Sequence, residues 1–281
     1  MRFLVLDAYS AEGRQALVGA GGTAAGVLYE RMLGELEPGS TIDVLFPADR
    51  ESSLPEGTAL GDYDGIAWTG SDLSVLRDDD PRVGRQIELA QAAFEAGVPS
   101  FGSCYGIQLS VVAAGGECTA NPRGREFGLS RWISLSAEGK GHSMYRGRGE
   151  VFDAYTCHTD MVSGLPERST LLAGNDFTSV QGLAIEHRGG SFWAVQYHPE
   201  YDLHEVAALC RLRRAELVAQ GTFRDDAEAG AYIDNLEALH GDPSRSELAQ
   251  ALGIGAPVLD FSERTREVRN WIDDKVRPRA E

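Results

Sequence analysis

The sequence predicts an α/β protein in which a mixed, mostly parallel sheet is flanked by helices and followed by a C-terminal helical extension. Short apolar runs alternate with helical patterns from Phe3 to Ala114, which is typical of a parallel sheet covered on both faces. Strand-like segments separated by Gly, Pro and Asn then follow between Phe127 and Tyr197, and after Gly221 the hydrophobic patterns are helical. The strands between Phe127 and Tyr197 are therefore expected to make the sheet mixed rather than purely parallel. The helical patterns after Gly221 predict the C-terminal extension.

The elements of the first half are predicted from apolar runs and the residues that interrupt them. Residues 3–6 form an apolar run that ends in an acidic turn, as a buried parallel strand does. Asp80 and Pro81 precede a helical pattern that ends at Gly97, and proline is favoured in the first turn of a helix. In chain order, we predict strands at 3–6, 41–46, 63–68 and 98–101 and helices at 25–36, 81–97 and 107–114.

The second half predicts further strands and then helices. The strand-like segments are 127–136, 150–157, 179–187 and 192–197, and a helical spacing of apolar residues returns at 203–217. In the tail, Ser244 and Glu247 have the spacing of a capping box at a helix start. A last apolar stripe, surrounded by charges, predicts a solvated helix packed on the main domain; it comprises Val268, Trp271, Ile272 and Val276. We predict a domain over residues 1–220 and a helical extension over residues 221–281.

Composition and charge exclude several classes of function. The chain has 26 Lys and Arg against 43 Asp and Glu, so its net charge is −17, and the phosphate backbone of a nucleic acid would be repelled. The four cysteines show no Cys-x-x-Cys spacing, so neither a disulfide framework nor a zinc site is predicted. No apolar stretch approaches the ~18 residues of a membrane span, and the N-terminal apolar run is too short for a signal peptide. We expect a cytoplasmic protein that uses no metal and binds neither nucleic acid nor membrane.

A cysteine on a predicted bend is the strongest chemical feature of the sequence. Cys104 lies between a strand and a helix, and Gly102 and Gly106 flank it in the segment Gly-Ser-Cys-Tyr-Gly. Such a bend needs small residues, and it lifts one side chain above the sheet edge at the start of a helix. The helix N-terminus stabilises a negative charge there, and the thiolate is the nucleophilic form of cysteine. The alternative is a buried cysteine that behaves as a small hydrophobic residue, the interpretation favoured for the other three.

A histidine and a glutamate are predicted to complete a catalytic triad with this cysteine. A cysteine nucleophile that acts on an amide needs a proton shuttle, and His198 follows an apolar strand at the edge where α/β sheets bind ligands. Glu200 comes two residues later, and the intervening proline favours an extended backbone that turns both side chains to one side. The carboxylate then orients the imidazole and stabilises its charged form. Taken alone, the His-Pro-Glu segment also fits a surface turn, and His158 is a second histidine that could line a site.

An oxyanion formed at the cysteine needs backbone N–H donors. The N–H of Tyr105, directly after the nucleophile, is one donor by the geometry of the bend. The second is predicted in the segment Thr69-Gly70-Ser71, because glycine permits a close approach of backbone to ligand. A plain strand-terminating turn is the alternative for that segment.

Together these segments resemble the class I glutamine amidotransferases, which have a triad-type, flavodoxin-like glutaminase fold. The resemblance covers residues 1–220 and is best with stand-alone, GMP-synthase-like members. It implies that Cys104 is the nucleophile, that His198 is the general base and acid, and that Glu200 orients the histidine. It also implies two oxyanion donors, no cofactor, and a group of residues that holds the α-amino and α-carboxylate ends of a glutamyl group. The donors are Gly70 and Tyr105, and the substrate-binding residues are Ser71, Gln108, Thr159 and Asp160.

Two segments depart from the usual pattern of this family. Gly70-Ser71-Asp72 stands where Gly-Gly-Pro is frequent, and Ser103 stands where a bulky aliphatic residue commonly precedes the nucleophile. Asp72 adds a negative charge near a site that must hold an anion. The substrate therefore need not be plain glutamine.

The absence of a synthetase signature leaves two enzymatic interpretations open. No Ser-Gly-Gly-x-Asp-Ser motif of ATP pyrophosphatases follows the glutaminase-like region, so any acceptor chemistry is expected on another chain. The expected reaction is hydrolysis of a γ-glutamyl amide, such as glutamine to glutamate and ammonia, through a glutamyl thioester. The enzyme is then either a glutaminase subunit that feeds a separate synthetase, which the motifs favour slightly, or a free-standing hydrolase of γ-glutamyl amines or peptides. A third interpretation is not enzymatic: a binding protein that has the same fold but no catalytic activity. A homo-oligomer is compatible with all three interpretations.

Overall fold

The computed structural model describes residues 1–280, whose strands form one large sheet and one small sheet. The strands are β1 Arg2–Leu6, β2 Thr41–Leu45, β3 Gly65–Trp68, β4 Ser100–Ser103, β5 Glu117–Ala120, β6 Glu126–Leu135, β7 Val151–His158, β8 Asp160–Gly164, β9 Ser169–Gly174, β10 Gly182–His187 and β11 Gly190–Val195. Within these residues the large sheet has nine strands in the order β2-β1-β3-β4-β11-β10-β9-β6-β7, and β5 pairs with β8. Strands β2, β1, β3, β4 and β11 are mutually parallel, and β10, β9, β6 and β7 continue the sheet in antiparallel pairs. The predicted mixed α/β sheet is confirmed.

Helices surround this sheet and form the end of the chain. They are α1 Ala11–Gly19, α2 Ala25–Leu36, α3 Pro81–Glu95, α4 Tyr105–Ala113, α5 Ala137–Gly141, α6 Leu203–Ala219, α7 Asp226–Gly241, α8 Ser246–Leu252, α9 Ala256–Leu259, α10 Phe261–Arg264, α11 Arg266–Trp271 and α12 Arg277–Ala280. Asp80 caps α3 by accepting from the N–H of Arg82, and Pro81 lies in the first turn as predicted. Over residues 1–280, none of the helices combines the length and the apolar character that crossing a membrane requires.

Side chains of the parallel strands alternate between two buried faces. Leu4 and Leu6 of β1 lie in the core under α3 and α4, whereas Phe3 and Val5 lie in the core under α2 and the C-terminal helices. Because residues two apart share a face, one strand supplies both cores. The carboxyl ends of β1, β3, β4 and β11 meet at one edge, where open α/β sheets bind ligands.

The C-terminal helices are part of the main core. The predicted apolar stripe of the tail is fully buried, and the Trp271 ring lies 6.0 Å from that of Phe3 and 5.9 Å from that of Phe101. Arg148 and Glu267 form a buried two-point ion pair with N–O distances of 2.7 and 2.8 Å, which anchors α11. The stripe is therefore inside the protein, although we expected a solvated helix, and the division at residue 220 stays a prediction.

Several details of the predicted elements are wrong, among them the start of α4 at Tyr105 rather than 107 and the start of β10 at Gly182 rather than 179. Ser244 does not form a capping box, because α8 begins at Ser246 with Arg245 before it and the Ser244 hydroxyl donates to Asp242 instead. Strand β4 spans Ser100–Ser103 rather than 98–101. The shift of β4 matters for the site, because the strand runs directly into Cys104 without an intervening loop.

Candidate active site

The backbone at Cys104 is bent into a conformation that few side chains adopt. Cys104 has φ 53° and ψ −104°, directly between the end of β4 and the first residue of α4. Such a conformation costs about 1–3 kcal/mol and persists only where the surroundings hold it. The Cys104 N–H donates to the carbonyl of Val195 at 2.9 Å, which ties the bend to β11. The bend places the sulfur at the N-terminus of α4, where a negative charge is stabilised.

Two glycines make this bend sterically possible, and a third leaves space for His198. A Cβ on Gly102 would lie 2.9 Å from the Phe192 ring and 3.0 Å from the Cα of Gly106, and a Cβ on Gly106 would lie 3.0 Å from the Trp68 carbonyl oxygen. A Cβ on Gly70 would lie 2.9 Å from Cε1 of His198. The glycine spacing that predicted the bend therefore reflects direct contact between the strand and the helix.

His198 and Glu200 form a buried pair beside the cysteine. Nδ1 of His198 lies 2.7 Å from Oε1 of Glu200, and each side chain is 1% exposed. Tyr201 stacks on the imidazole with a centroid distance of 3.9 Å. Burial lowers the pKa of His198, but the negative charges of Glu200 and Cys104 outweigh it and raise that pKa well above its ordinary value. Nε2 of the ring makes no hydrogen bond of normal length among residues 1–280, and Cys104 is the side chain near enough to this ring to raise its pKa together with Glu200.

A chain of hydrogen bonds holds the glutamate from behind. The Tyr29 hydroxyl donates to the Ser103 hydroxyl at 2.8 Å, and the Ser103 hydroxyl donates to Oε1 of Glu200 at 3.0 Å. Ser103 is fully buried. The residue that departs from the family pattern therefore contacts the triad, and neither its contact nor that of Tyr29 was predicted from the sequence.

The two predicted oxyanion donors lie next to the cysteine. Tyr105 is the first residue of α4, so its N–H has no intrahelical acceptor and is available to a ligand. Gly70 follows β3 at the same sheet edge, and a Cβ placed on it would lie 3.6 Å from the Cβ of Cys104. Their positions are compatible with the predicted role, which stays a prediction.

The predicted glutamyl-binding residues line one pocket with Cys104 and His198. Gln108 donates from Nε2 to the carbonyl of Asp160 at 2.9 Å, and the Asp160 carboxylate accepts from Ser74. Thr159 lies between the strands that carry His158 and Asp160, and it lines the same pocket. Ser71 is also there, but its hydroxyl donates to the Ala8 carbonyl at 2.8 Å. These four residues are therefore together, and the Ser71 hydroxyl is occupied by the carbonyl of Ala8, which follows β1.

The negative charge of Asp72 is compensated locally. Its carboxylate accepts from the backbone N–H of Ser10 at 2.8 Å and from the Ser10 hydroxyl at 2.6 Å. Ser10 is the N-cap of α1, and a helix N-terminus stabilises a negative charge. The charge that marked a departure in the sequence therefore serves to fix α1 at the rim of the pocket.

His158 belongs to a second buried pair beneath the glutamyl-binding segment. Its Nε2 lies 2.8 Å from Oε2 of Glu126, and its Nδ1 lies 2.9 Å from the carbonyl of Asp160. Burial raises the pKa of Glu126, but His158 and several hydrogen-bond donors outweigh this and leave that pKa lowered. Both ring nitrogens of His158 are occupied, so this histidine holds the segment in place.

Two arginines line the pocket, and sequence reasoning missed them. Nη2 of Arg125 lies 2.7 Å from Oε1 of Glu216, and Nη1 of Arg213 lies 3.5 Å from the other oxygen of that carboxylate. Arg125 stands in a turn before β6 and Arg213 in a charged stretch of α6, Arg-Leu-Arg-Arg. Such stretches are usually solvated, so no signal in the sequence separated these two cations from their neighbours.

Comparisons with known proteins give a family and several relatives. A family model described as glutamine amidotransferase class-I matches residues 63–209. A gamma-glutamyl-L-1-hydroxyisopropylamide hydrolase from a Pseudomonas species is 33% identical over 287 residues, covering 100% of this chain and 95% of that protein. A glutamine-hydrolyzing GMP synthase from Methylobacillus flagellatus is 38% identical over 141 residues, covering 48% of this chain and 25% of that protein. The likeness to the hydrolase is thus of full length, and the likeness to the synthase is partial.

Solved structures show the same fold. A glutamine amidotransferase from Thermotoga maritima superposes with a TM-score of 0.65 at 14% identity, covering 98% of each chain. A glutamine amidotransferase from Methylobacillus flagellatus gives a TM-score of 0.62 at 21% identity, covering 95% of this chain and 94% of that one. The overall arrangement of sheet and helices is therefore shared with these proteins.

Proposed function

Because the chain belongs to the class I glutamine amidotransferase family and is a hydrolase of C–N amide bonds, we propose that it is a free-standing hydrolase of γ-glutamyl amides. The observation that carries the chemistry is the juxtaposition of Cys104, on its strained bend, with a His198 ring whose Nε2 has no partner among the described residues. An unsatisfied buried polar atom needs an explanation, and a proton transferred to substrate supplies one.

In the first half of the proposed reaction, the Cys104 thiolate attacks the γ-carbonyl carbon and forms a C–S bond. The carbonyl oxygen becomes an oxyanion, which the N–H groups of Gly70 and Tyr105 stabilise. His198 in its imidazolium form gives a proton to the amide nitrogen, the C–N bond breaks, and the amine leaves. The raised pKa of His198 favours the imidazolium form that this step requires.

In the second half, water resolves the γ-glutamyl thioester. Neutral His198 takes a proton from water as the hydroxide attacks the thioester carbon, and the C–S bond breaks to restore the thiolate. Glu200 keeps the imidazole oriented and stabilises its positive charge in both halves. The balance is one amide and one water consumed, with glutamate and one amine released.

The free-standing interpretation is supported by the extent of the similarities. The full-length relative is named a hydrolase, whereas the match to GMP synthase covers 25% of that protein. That partial match favours a second candidate, a glutaminase that works with a separate synthetase. The two candidates differ in the activity of the isolated chain, because a subunit is expected to be slow without its partner and a hydrolase fast.

A substrate panel on the purified chain tests the proposal. We expect turnover of a γ-glutamyl alkylamide to exceed that of glutamine at least tenfold, with release of glutamate and amine, and Cys104→Ala to abolish both activities. Alkaline-resistant labelling of wild type by a glutamine-like electrophile, absent in Cys104→Ala, identifies the nucleophile independently of turnover. Activity that survives Cys104→Ala contradicts the mechanism, and preference for glutamine contradicts the substrate class.

A further inference from the structure

The side chains around Cys104 form two groups of different charge. Gln108 and Asp160 are joined by a hydrogen bond and belong to the group predicted to hold the glutamyl end, and the Ser74 hydroxyl donates to the Asp160 carboxylate. The second group, which we call the arginine wall, also lines the pocket; it comprises Tyr9, Arg125, Cys157, Tyr201, Leu209 and Arg213. The pocket is therefore acidic and amide-lined in one part and basic in the other.

The arginine wall lies on the side of the proton donor. Tyr201 stacks on the His198 ring, and the Tyr9 hydroxyl is close enough to Tyr201 and Arg213 for both to lower its burial-raised pKa. In the proposed reaction the leaving amine takes its proton from His198. The substituent on that amine therefore extends toward the arginine wall, away from the glutamyl end.

The arginine wall has more positive charge than its own acceptors neutralise. Arg125 and Arg213 share the single carboxylate of Glu216, which is itself 39% exposed. The Arg125 side chain is 8% exposed, and its Nη1 donates to the sulfur of Cys157 at 3.7 Å, a weak acceptor. Nε of each arginine is buried without a hydrogen-bond partner among residues 1–280. A desolvated guanidinium with unfilled donors is unfavourable, and a bound anion relieves that cost.

A carboxylate suits this arrangement in shape as well as charge. The planar guanidinium presents paired donors that match the two oxygens of a carboxylate. The α-carboxylate of the glutamyl group is attached to the carbon that bears the α-amino group, and both are assigned to the first group of side chains. The carboxylate that reaches the arginine wall must then belong to the leaving amine.

On these grounds we propose that Arg125 and Arg213 form a subsite for a carboxylate on the leaving amine, so that the preferred substrates are γ-glutamyl amino acids. The inference rests on the proposed γ-glutamyl amide hydrolase. It adds a specificity that the name of the full-length relative does not contain, because the 1-hydroxyisopropyl group carries a hydroxyl in place of a carboxylate.

A matched pair of substrates tests this subsite. γ-Glutamyl-L-alanine and γ-glutamyl-L-1-hydroxyisopropylamide differ only in a carboxylate against a hydroxymethyl group. We expect wild type to hydrolyse γ-glutamyl-L-alanine with a kcat/KM about 10- to 100-fold higher than the hydroxyisopropylamide, because charge-assisted hydrogen bonds to its carboxylate stabilise the complex by that factor. In Arg125→Gln and Arg213→Gln that ratio should fall toward one, through a rise in KM for γ-glutamyl-L-alanine.

The control is Arg224→Gln, which removes the same charge at a side chain that is 82% exposed and pairs with Glu228. It should leave the ratio of the two substrates at the wild-type value. A ratio near one in wild type, or equal losses on both substrates in the Arg125 and Arg213 variants, overturns the subsite. If wild type hydrolyses neither substrate, the proposed function fails as well, so the two failures are distinguishable. A variant that has unfolded is recognised by its thermal unfolding curve, and the ratio of the other arginine variant then decides the test.

Discussion

Two buried histidine–glutamate pairs lie within the same pocket region, and they differ in what is left unsatisfied. In the pair His198–Glu200, Nε2 of the histidine and Oε2 of the glutamate have no hydrogen-bond partner among residues 1–280. In the pair His158–Glu126, both ring nitrogens are occupied, and five side chains donate to the glutamate. Those donors are Ser130, His158, Asn175, Thr178 and Gln181.

This difference indicates a catalytic role for the pair His198–Glu200 and a structural role for the pair His158–Glu126. A fully satisfied buried network makes a local structure unique and rigid, whereas a group that must exchange protons with a substrate cannot be saturated by the protein. The backbone strain at Cys104 lies beside the unsatisfied pair as well. Burial and a short N–O distance are common to both pairs, so neither alone identifies a catalytic histidine.

Substitution of the two histidines should have the largest effects, and the effects should differ between the two pairs. His198→Gln should lower kcat about 10²- to 10⁴-fold, because general acid–base catalysis is lost, and it should also lower the free energy of unfolding, because the buried Glu200 loses its partner. His158→Gln should lower the free energy of unfolding by about 3–5 kcal/mol, because the buried ion pair is broken and Glu126 keeps only neutral donors. The measurements are kcat on a γ-glutamyl amide and denaturant unfolding for both variants.

The comparison fails if the two variants behave alike. A His158→Gln protein that is folded at the assay temperature but loses kcat as severely as His198→Gln would give the second pair a direct part in catalysis. A rise in KM alone is consistent with its contact to Asp160, whose segment is predicted to bind the glutamyl group.

The two glutamates should control two different pH dependences. The pKa of His198 is raised by Glu200 to about 10, so the alkaline decline of wild-type kcat/KM, which follows loss of the imidazolium that protonates the leaving amine, should come well above neutral pH. In Glu200→Gln, burial remains and the carboxylate is gone, so the alkaline limb moves to lower pH and kcat falls about 10²-fold. An alkaline limb that stays in place in this variant contradicts the assignment of Glu200.

Glu126 should act on stability instead. Its pKa is lowered in the folded protein, so it contributes stability that is present above its unfolded pKa and is lost as pH falls through the folded value. Glu126→Gln should therefore be less stable at neutral pH and show a flatter loss of stability in acid. Unfolding midpoints measured from neutral to acid pH check this, and a change in the alkaline limb of kcat/KM would count against it.

The residues at the centre of the site were predicted from neighbours in the sequence. Residues whose partners are distant in the sequence were not predicted. The bend at Cys104 was predictable because its glycines are two residues away, and Glu200 because it is two residues from His198. Ser103 was identified only as a departure from a family pattern, since its partners Tyr29 and Glu200 lie 74 and 97 positions away. Such partners meet only when β4 and the segment after β11 are adjacent in the sheet.

The fold was predicted to a similar extent and for the same reason. The parallel strands and α2, α3 and α4 follow from hydrophobic periodicity and proline placement, which are local properties. The burial of Trp271 was not predicted, because its stripe is surrounded by charges and its partners Phe3 and Phe101 lie in the first half of the chain. The sequence shows that the tail has an apolar face. Which residues cover that face depends on tertiary contacts with the sheet.

Substitution of Ser103, which donates to Glu200, should have a smaller effect on catalysis than substitution of His198. Ser103→Ala removes the donor to Oε1 of Glu200 and leaves the carboxylate held by His198 alone, so we expect kcat to fall about 3- to 10-fold with KM unchanged. The matched control is Ser110→Ala on α4, where an equally buried hydroxyl donates to the Ile107 carbonyl at 2.8 Å and has no contact with the triad. If Ser103 acts by positioning Glu200, both variants lose stability, Ser103→Ala more because the Tyr29 hydroxyl also loses its acceptor, but only Ser103→Ala loses kcat. Equal kcat in both variants would show that the hydroxyl next to the nucleophile serves packing alone, and the hydrogen-bond chain from Tyr29 would then end before the chemistry.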